Sequence, residues 1–490
     1  MSDWTPRDYP FGLGGQKVND NPQPDTWREV VRYYGYSGTV LAPMFDDSFP
    51  AEYTYILYDL LCLWSSKLAR NKLRMRYYNG KNKLKDFGIS IPPQLLNVET
   101  IVGWPQKAVD MMAVRSRFDG YTAASAATQD ILDMVSAKSR LKARYRPTVQ
   151  SELIHSCAFG TVGVDVDSQP RIDVHSAEVS AARYDRAKGR IAYGMVINLF
   201  KDGVPVDIDI YAEDAVIHVW DTSLGFWDYE IEPISMGRPT MEVFAYRPTM
   251  LKPMGQSRIT RAVMSITDSA VREALRTEIS AEFFTSPQKY LLGADEEAFA
   301  NTTKWEAYIG NIFAVGRDED GQLPNYGQLS QGSMQPHTDY MRSLAARFSG
   351  ETNIPISTLG VIHDQPASAE AIYAANEALV IDCEDLNENN RDSLKNLALM
   401  AIAAQLDTPL DELPDEYRDF TANFRNPAMP SVVSQTDAMT KLAAVVPGFA
   451  GTDVFWEQVG FPEDMRRKVE QEITANMGFE LVAALNNGGE

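Results

Sequence analysis

The chain lacks the features that mark secreted, disulfide-bonded and membrane-spanning proteins. Its 490 residues include three cysteines, Cys62, Cys157 and Cys383, which lie far apart in apolar or helical contexts. Such cysteines indicate buried thiols in a reducing compartment. No apolar run approaches the roughly 18 residues that a membrane span needs, and the N-terminal segment has no signal-peptide core. The sequence therefore predicts a soluble protein that is made inside a cell.

Positive charge is scarce as well. Lys and Arg number 46 against 67 Asp and Glu, which gives a formal net charge of −21 at pH 7. Proteins that bind DNA tightly place Lys and Arg against the phosphates, and this balance has the opposite sign. A basic run does end the first predicted helix, at residues 67–76, but cations near a helix C-terminus are favourable for the helix dipole alone. The composition argues against a protein that holds DNA firmly.

The chain also lacks the sequence motifs of common enzymes. Its five histidines form no H-x-x-x-H or H-E-x-x-H pair, and there is no C-x-x-C, so no metal site is predicted. It contains no G-x-x-x-x-G-K-[ST] phosphate loop and no G-x-S-x-G elbow, which leaves an ATPase or an α/β-hydrolase without support. We predict no catalytic residues and no cofactor.

One acidic segment leaves an enzymatic alternative open. Asp385, Glu388 and Asp392 recur at three- and four-residue steps, so their carboxylates share one helical face and could share a Mg²⁺ ion. Acidic helix faces are common and two-metal sites are rare, so a solvated or intersubunit face is the favoured interpretation. The alternative is a metal-dependent DNA-processing enzyme.

A long amphipathic helix is the most regular feature that the chain does contain. Apolar residues recur at three- and four-residue steps on one face, at Ile259, Val263, Ile266, Ala270 and Ala274. They predict a helix over residues 257–284, roughly 42 Å long, with Ser257 as its N-cap. The opposite face is polar and carries Arg258, Arg261, Ser265, Asp268, Arg272 and Arg276.

The segment after this helix predicts a small β-rich excursion and two more helices. Strands are expected at 290–293 and 308–315, with a polar turn at 318–321. A returning helix starts at Pro336 and ends at Gly350, with an apolar side formed by Tyr340, Met341, Leu344 and Phe348. A loop at 351–366 leads to one very long helix, or two abutting helices, over 368–406, with apolar positions at Ile372, Leu379, Ile381, Leu386 and Leu394.

The flanking regions predict a mixture of helices and strands, so the fold class is α+β. Helices are expected at 51–76, 105–112, 124–138 and 148–158, and strands at 161–166, 171–174, 191–198, 206–211 and 216–220. Turn residues at 185–189 and 202–203 mark hairpins. A Pro-rich connector at 409–430 carries Phe420 and Phe424. It precedes helical pieces at 432–446, 454–459 and 462–485.

This order of elements resembles that of the phage portal proteins, the ring-shaped connectors at the capsid vertex of tailed bacteriophages. The matching segments around the helices are Gly255-Gln-Ser257-Arg-Ile259-Thr260, Ser286-Pro287-Gln288-Lys289-Tyr290 and Pro366-Ala-Ser368-Ala-Glu370-Ala371. Two earlier segments look like the amino-terminal signature of the portals of long-tailed actinobacteriophages: Tyr78-Asn79-Gly80 and Val102-Gly103-Trp104-Pro105. The resemblance spans residues 52–406.

The resemblance implies a portal-type fold. Its parts would be an N-terminal arm (1–50), an α+β wing (51–254), a stem helix (255–286), a β-rich clip (287–335), a second stem helix (336–349), a tunnel loop (350–366), a long wing helix with a connector (367–430) and a helical crown (431–490). The assembly would be a homo-oligomeric ring of about twelve copies.

The resemblance also implies a structural function without enzymatic activity. The ring would sit in the virion at the capsid vertex, after assembly in the host cytoplasm, and double-stranded DNA would pass through its bore during packaging and ejection. Expected partners are the terminase, a head–tail adaptor and the major capsid protein. Besides the DNA-processing enzyme, a minor head or adaptor protein without a bore stays open as an alternative.

Two groups of residues are expected to serve this function. The tunnel loop offers hydrogen bonds to DNA without permanent positive charge, through Thr352, Asn353, Ser357, Thr358, His363 and Gln365. The alternative is a loop packed on its own subunit through Ile354, Ile356, Leu359 and Val361. The stem arginines, Arg258, Arg261, Arg272 and Arg276, either pair with acidic residues of a neighbouring subunit or face DNA. Pairing is favoured, because a ring of arginines would hold DNA too firmly for sliding. The apolar stripe of the stem is expected to contact neighbouring subunits.

Overall fold

The computed structural model describes residues 43–82, 100–223, 226–285, 289–292, 325–328, 333–360, 369–428 and 432–452, apart from 166 and 168, and isolated positions beyond 452. The predicted strand 308–315, its turn and most of the N-terminal arm lie outside the described residues. So do nearly all positions of the helices predicted at 454–459 and 462–485. The chain divides into two units, Met1–Pro427 and Ala428–Glu490.

Seven α-helices are described in the first unit. They are α1 (Ala51–Tyr78), α2 (Trp104–Arg115), α3 (Ala126–Ser139), α4 (Leu141–His155), α5 (Arg261–Thr285), α6 (Gln335–Thr352) and α7 (Ala369–Leu406). In the second unit the structure describes α8 (Val432–Val445) and a short 3-10 turn (Phe449–Gly451). No helix among the described residues is long and apolar enough to cross a membrane.

The strands of the first unit form antiparallel sheets. The strands are β1 (Phe118–Ala123), β2 (Cys157–Val164), β3 (Pro170–Ser176), β4 (Ser180–Asp185), β5 (Arg190–Lys201), β6 (Val204–Tyr211), β7 (Ala215–Ser223), β8 (Phe226–Pro233), β9 (Met241–Ala245), β10 (Lys289–Leu292), β11 (Asn325–Gln328) and β12 (Phe420–Phe424). Strands β4 to β8 make a five-stranded meander in chain order, and β3-β2-β9 make a second sheet. The remaining strands pair as β1-β12 and β10-β11.

Each sheet covers its own part of the core. Isoleucines on the inner face of the meander, Ile208, Ile210 and Ile217, are buried against Leu57 and Leu60 of α1. The largest cluster of buried residues joins α2, α4, α5, α6 and α7.

The tight β5-β6 hairpin is made by Asp202-Gly203, both with positive φ (52° and 81°), a conformation that Asp tolerates and Gly favours.

Most predicted elements of the first unit are present, and the α+β class is confirmed at the level of mixed helix and sheet. The helix predicted at 368–406 is one continuous element of 38 residues. Within it, Leu379, Leu386 and Leu394 are buried as expected, whereas Ile372 and Ile381 are exposed. The connector at 409–430 contains a strand that the sequence analysis did not predict: β12 pairs with β1 across some 300 residues of chain.

The start of α5 was predicted four residues too early. The Ser257 hydroxyl does not cap the helix; it donates to the carbonyl oxygen of Ile154 at 2.6 Å. The helix begins at Arg261, and the Thr260 hydroxyl accepts the backbone N–H of Val263 at 3.2 Å. Thr260 is therefore the residue that satisfies an otherwise unpaired N–H of the first turn.

The end of α6 was also misplaced. The helix continues through Gly350 to Thr352, and Asn353 follows in the left-handed region with φ 54°. Asn is one of the few residues other than Gly that adopts this conformation readily. A glycine near a helix end is therefore not sufficient to stop the helix when a suitable residue follows three positions later.

A buried arginine joins the helical core to the rest of the first unit. Arg258 is 4% exposed. Its guanidinium donates to the backbone oxygen of Ala108 in α2 at 2.8 Å, to the hydroxyl of Tyr246 at 2.7 Å and to the backbone oxygen of Thr352. The same group lies 3.5 Å from a carboxylate oxygen of Asp382 in α7. One side chain thereby connects α2, the segment after β9, the end of α6 and the middle of α7.

A buried carboxyl group lies in the same core. Glu152 of α4 is fully buried, and its Oε2 accepts a hydrogen bond from the Asn390 side chain at 3.0 Å. The Asn390 amide also donates to the hydroxyl of Tyr145 at 2.9 Å. Burial raises the pKa of Glu152 to about 8, against a smaller lowering by Asn390. Glu152 is therefore a neutral acid at pH 7 in the folded chain.

Arg258 supplies the first testable prediction. Arg258→Met keeps most of the side-chain volume but leaves Asp382 without this cation and three oxygens without their donor. The free energy of unfolding should fall by about 3–5 kcal/mol, because a buried charge loses its partner. Arg261→Met, at an exposed position of the neighbouring helix, should change it by no more than about 0.5 kcal/mol. Urea unfolding followed by circular dichroism measures both, and equal effects of the two substitutions would contradict this account.

Glu152 predicts a pH dependence of stability. Its folded-state pKa is raised above the ordinary value of 4.5, so between pH 4.5 and about 8 the folded chain holds a proton that the unfolded chain has released. This group should therefore lower the free energy of unfolding by about 1.4 kcal/mol per pH unit across that window. Glu152→Gln, which mimics the neutral acid, should remove that contribution. Parallel stability-against-pH curves for the wild type and the variant would show that Glu152 does not titrate in this way.

Candidate functional site

Helices α5 and α6 pack side by side and form the region in which the functional residues were predicted. The apolar stripe of α5, represented by Val263, Ile266 and Ala270, is buried in the same cluster as Leu344 and Phe348 of α6. The stripe was expected to contact neighbouring subunits. This expectation is wrong for the described part of the helix, because the stripe is covered by its own chain.

The four stem arginines differ in their surroundings. Arg261 and Arg276 are exposed, and Arg272 is half-buried. The guanidinium of Arg276 lies 3.5 Å from a carboxylate oxygen of Glu273 on the same helix. Arg258 was expected to pair with a neighbouring subunit, but it is buried and bonded within its own chain. For Arg261, Arg272 and Arg276 the pairing with a neighbour stays a prediction.

The polar face of α5 also holds a link to α6. The carboxylate of Glu273 lies 2.6 Å from Nδ1 of His337, and Nε2 of His337 lies 3.1 Å from the hydroxyl of Ser280. Ser, His and a carboxylate in this order resemble a hydrolytic triad. However, the backbone N–H groups around Ser280 belong to the interior of α5 and bond along the helix, so they offer no pair of donors for an oxyanion. These three side chains therefore form a polar contact between α5 and α6.

A second link fixes the polar face of α5 to the end of α1. Asp268 accepts the hydroxyl of Tyr77 at 2.9 and 3.0 Å and the side-chain amide of Asn82 at 3.0 Å. Burial and the nearby Asp268 carboxylate raise the pKa of Tyr77 above its usual range. The sequence places Asp268 among surface residues, and no local pattern links it to Tyr77, which lies 191 positions earlier.

The described residues of the predicted tunnel loop, up to Gly360, pack largely against their own chain. Ile354 and Leu359 are buried, and the indole N–H of Trp104 donates to the backbone oxygen of Leu359 at 3.3 Å. Residues 356–359 form a 3-10 turn. Ile354 and Leu359 thus pack on their own chain, as the alternative interpretation expects, whereas contact between the exposed part of the loop and DNA stays a prediction.

The individual loop candidates follow from this packing. Thr352 is 2% exposed, so the expectation that it faces DNA is wrong. The side-chain amide of the half-buried Asn353 donates to Asp382 at 2.9 Å, and a contact of Asn353 with DNA stays a prediction. The Thr358 hydroxyl donates to the backbone oxygen of Pro355 at 2.7 Å. Ser357 is exposed. His363 and Gln365 lie outside the described residues.

The acidic face of α7 does not form a metal site within the described part of the chain. Asp385, Glu388 and Asp392 are exposed, and Glu388 pairs with Arg391 three residues later. In the same described residues, the only set of His, Cys, Asp and Glu side chains close enough to hold an ion lies in the meander. Asp382, at the start of the acidic run, accepts hydrogen bonds from Arg247 and Asn353 and forms an ion pair with Arg258. Its role is structural, and only the tertiary contacts reveal it.

Comparison with known proteins gives relatives over most of the chain. It is 24% identical over 423 residues to the portal protein of Mycobacterium phage D29, covering 82% of this chain and 86% of that protein. It is also 24% identical over 435 residues to the portal protein of Mycobacterium phage L5, covering 85% of this chain and 87% of that protein. No family model matches the chain.

Three solved structures show weaker likeness. A chain from the virion of a native gene transfer agent particle has a TM-score of 0.42 and 13% identity, covering 90% of this chain and 99% of the other. Chains from the neck of a native particle (C12 symmetry) and of an empty particle (C6 symmetry) have TM-scores of 0.39 and 0.40 and 11% and 12% identity. The match covers 80% of this chain and 99% of the other in the native neck, and 76% and 89% in the empty neck. Likeness at this level does not establish a shared fold. The chain is thus similar to two portal proteins of mycobacteriophages over more than four fifths of its length, and the resemblance to portal proteins is confirmed.

Proposed function

We propose that the chain is the subunit of a phage portal, a closed ring at the capsid vertex through which DNA is packaged and ejected. The observation that carries this proposal is the similarity to two portal proteins across more than four fifths of the chain. The subunit is a structural protein of the virion and not an enzyme. Its expected partners are the terminase, a head–tail adaptor, the major capsid protein and the DNA in the bore.

In this proposal the described elements take the following parts. Helices α5 and α6 form the stem, and the β10-β11 pair with the segment between them belongs to the clip. The five-stranded meander, α1 to α4 and α7 form the wing. Residues 350–366 are the tunnel loop, of which 350–352 also form the last turn of α6, and residues 431–490 are the crown. The side-by-side packing of α5 and α6 supports this assignment, because a stem needs two helices that run together from the wing to the clip.

Exposed apolar side chains support an assembly of several copies. Met250 and Leu251, in the turn before α5, are 97% and 79% exposed, and Ile372 and Ile381 of α7 are exposed as well. Met250 and Leu251 are adjacent in the chain, so together they offer a small apolar surface that a neighbouring copy would cover in this proposal. Homo-oligomers favour closed symmetry, and a heterologous contact that repeats by rotation closes into a ring.

The charge of the chain suits a conduit. A bore must let DNA slide, so tight phosphate contacts would slow its passage. A net charge of −21 provides few cations to grip phosphates and many carboxylates to pair with Arg261 and Arg276 of an adjacent copy. The arginines then contribute to assembly, and the bore makes weak contacts that exchange quickly.

This proposal predicts a large closed complex. Purified chain at micromolar concentration should give a light-scattering mass of about twelve times 54.7 kDa without nucleotide or metal. Arg261→Gln combined with Arg276→Gln should lower the fraction of chain in the ring, because each interface loses two charge pairs. The matched control, Arg117→Gln with Arg146→Gln, removes two exposed arginines outside the stem. It should leave that fraction unchanged.

Two results would contradict the prediction in different ways. A monomer or dimer under these conditions would favour a minor head or adaptor protein without a bore. Intact rings of the stem variant, with altered packaging alone, would mean that Arg261 and Arg276 face DNA instead of a neighbour.

The tunnel loop predicts a salt-dependent effect on DNA passage. Ser357 is exposed, so Ser357→Lys should leave ring assembly intact and add one cation per subunit to the bore. DNA packaging in vitro with the cognate terminase should slow, and the effect should increase at low salt, where phosphate attraction is strongest. Ser357→Ala serves as the control without charge. Packaging by the lysine variant at the normal rate in low salt would mean that this part of the loop does not touch DNA.

A further inference from the structure

The face of the five-stranded meander that points away from α1 brings together ligand-type side chains that the sequence motifs do not connect. Asp207 and Asp209 of β6 alternate with the buried Ile208 and Ile210, so both carboxylates lie on the face that points away from α1. His218 of β7 is the direct cross-strand neighbour of Asp209. A hairpin thus places an imidazole beside a D-x-D pair.

The geometry within this group is compact. Nδ1 of His218 lies 2.6 Å from Oδ1 of Asp209 and 3.8 Å from Oδ1 of Asp207. One ligand atom from each of the three residues lies within 4.8 Å of the other two. The side chains are partly shielded, with exposures of 38% for His218, 29% for Asp207 and 26% for Asp209. They also stand on hydrogen-bonded strands, which hold their relative positions.

A β-bulge adds a fourth group to the same point. The register between β5 and β6 passes from Ile197–Ile208 to Leu199–Asp207, so Asn198 is the extra residue of the bulge. Its Nδ2 lies 2.9 Å from Asp207 and 2.9 Å from Asp209. Bulges re-aim side chains. A half-turn of this amide brings Oδ1 to the same position, so Asn198 can bridge the two carboxylates or offer an oxygen ligand.

We propose that Asp207, Asp209 and His218 bind a divalent transition-metal ion of the Zn²⁺ or Co²⁺ type. Two carboxylates balance the charge of such an ion, and an imidazole nitrogen with carboxylate oxygens is a donor set for these metals. Mg²⁺ and Ca²⁺ prefer oxygen ligands alone, so they bind more weakly here. Asn198 or water completes the coordination. The ion displaces any proton on Nδ1 of His218 and ties β5, β6 and β7 together on this face of the meander.

Trp220 provides a direct reporter for this ion. Its indole stacks on the imidazole of His218, with ring centroids 4.9 Å apart and an interplanar angle of 29°. Co²⁺ bound at Nδ1 should quench the emission of Trp220, and Zn²⁺ should displace Co²⁺ and restore it. An equal concentration of Mg²⁺ should not. The chain has eight tryptophans, so Trp220→Phe identifies the quenched component, which should be missing from that variant.

The experiment titrates the full chain with Co²⁺ and compares ligand variants with a matched control. His218→Gln and Asp209→Asn should each weaken Co²⁺ binding at least about tenfold. Glu213→Gln removes a carboxylate at the β6-β7 turn of the same sheet that pairs with Lys188 and Arg190, and it should leave the affinity unchanged. Circular dichroism checks that each variant folds, and Asp207→Asn replaces any variant that does not.

The outcomes separate an ion site from an ion pair. If the three residues form only a His–Asp ion pair, Co²⁺ will not quench Trp220, or it will quench the ligand variants as strongly as the wild type. Either result overturns the proposal. Zn²⁺ should also raise the thermal unfolding midpoint of the wild type and not that of Asp209→Asn, and an equal rise in both would overturn it as well. These readouts do not depend on ring formation.

Discussion

The guanidinium of Arg258 is the interaction on which the arrangement of the helical core depends. It is a cation almost without solvent contact, and it satisfies backbone oxygens at Ala108 and Thr352 together with the Tyr246 hydroxyl. Each of the three guanidinium nitrogens donates to a different one of these acceptors, which the planar fork of an arginine allows. The nearby Asp382 carboxylate balances the charge, and it is itself held by Arg247 and Asn353. The interior of α2, the segment after β9, the end of α6 and the middle of α7 are therefore fixed relative to one another through one side chain.

This connection demands a close approach of the backbone just before Arg258. Gly255 has φ 70°, and a Cβ at this position would lie 2.5 Å from the backbone oxygens of Ser156 and Tyr246. No side chain fits there without moving two segments of backbone. The segment from Gly255 to Thr260 is thus a structural joint between the β-rich part of the chain and α5.

Charged and apolar side chains that are not buried in the core lie on the surfaces of the first unit. Arg261 and Arg276 remain exposed on the helical pair, Met250 and Leu251 project from the turn before α5, and the meander presents Asp207, Asp209 and His218. The acidic composition keeps such a surface from holding DNA firmly and leaves partners for its arginines. Assembly and weak DNA contact are thus compatible within one chain, which is what a conduit requires.

The sequence by itself determined those helices and hairpins that are specified by residues close together in the chain. Three- and four-residue periodicity was enough for α1, α5 and α7, and Asp202-Gly203 was enough for the β5-β6 hairpin, because both patterns depend on residues within one or two turns. The order of these elements also carried the resemblance to portal proteins. Local signals identified the apolar face of a helix but could not decide what covers it, because an apolar stripe packs equally well on its own chain or on another copy.

Only the tertiary structure decided the roles of the polar residues. Arg258 and Arg261 lie three positions apart in what reads as one arginine stripe, yet one is buried among four segments and the other is exposed. Asn353 reads as a loop residue that could touch DNA, and it bonds to Asp382, 29 positions later. Asp209 and His218 meet because a hairpin sets their register. Hydrogen bonds and ion pairs act over a few ångströms of space without regard to chain separation, so periodicity cannot reveal them.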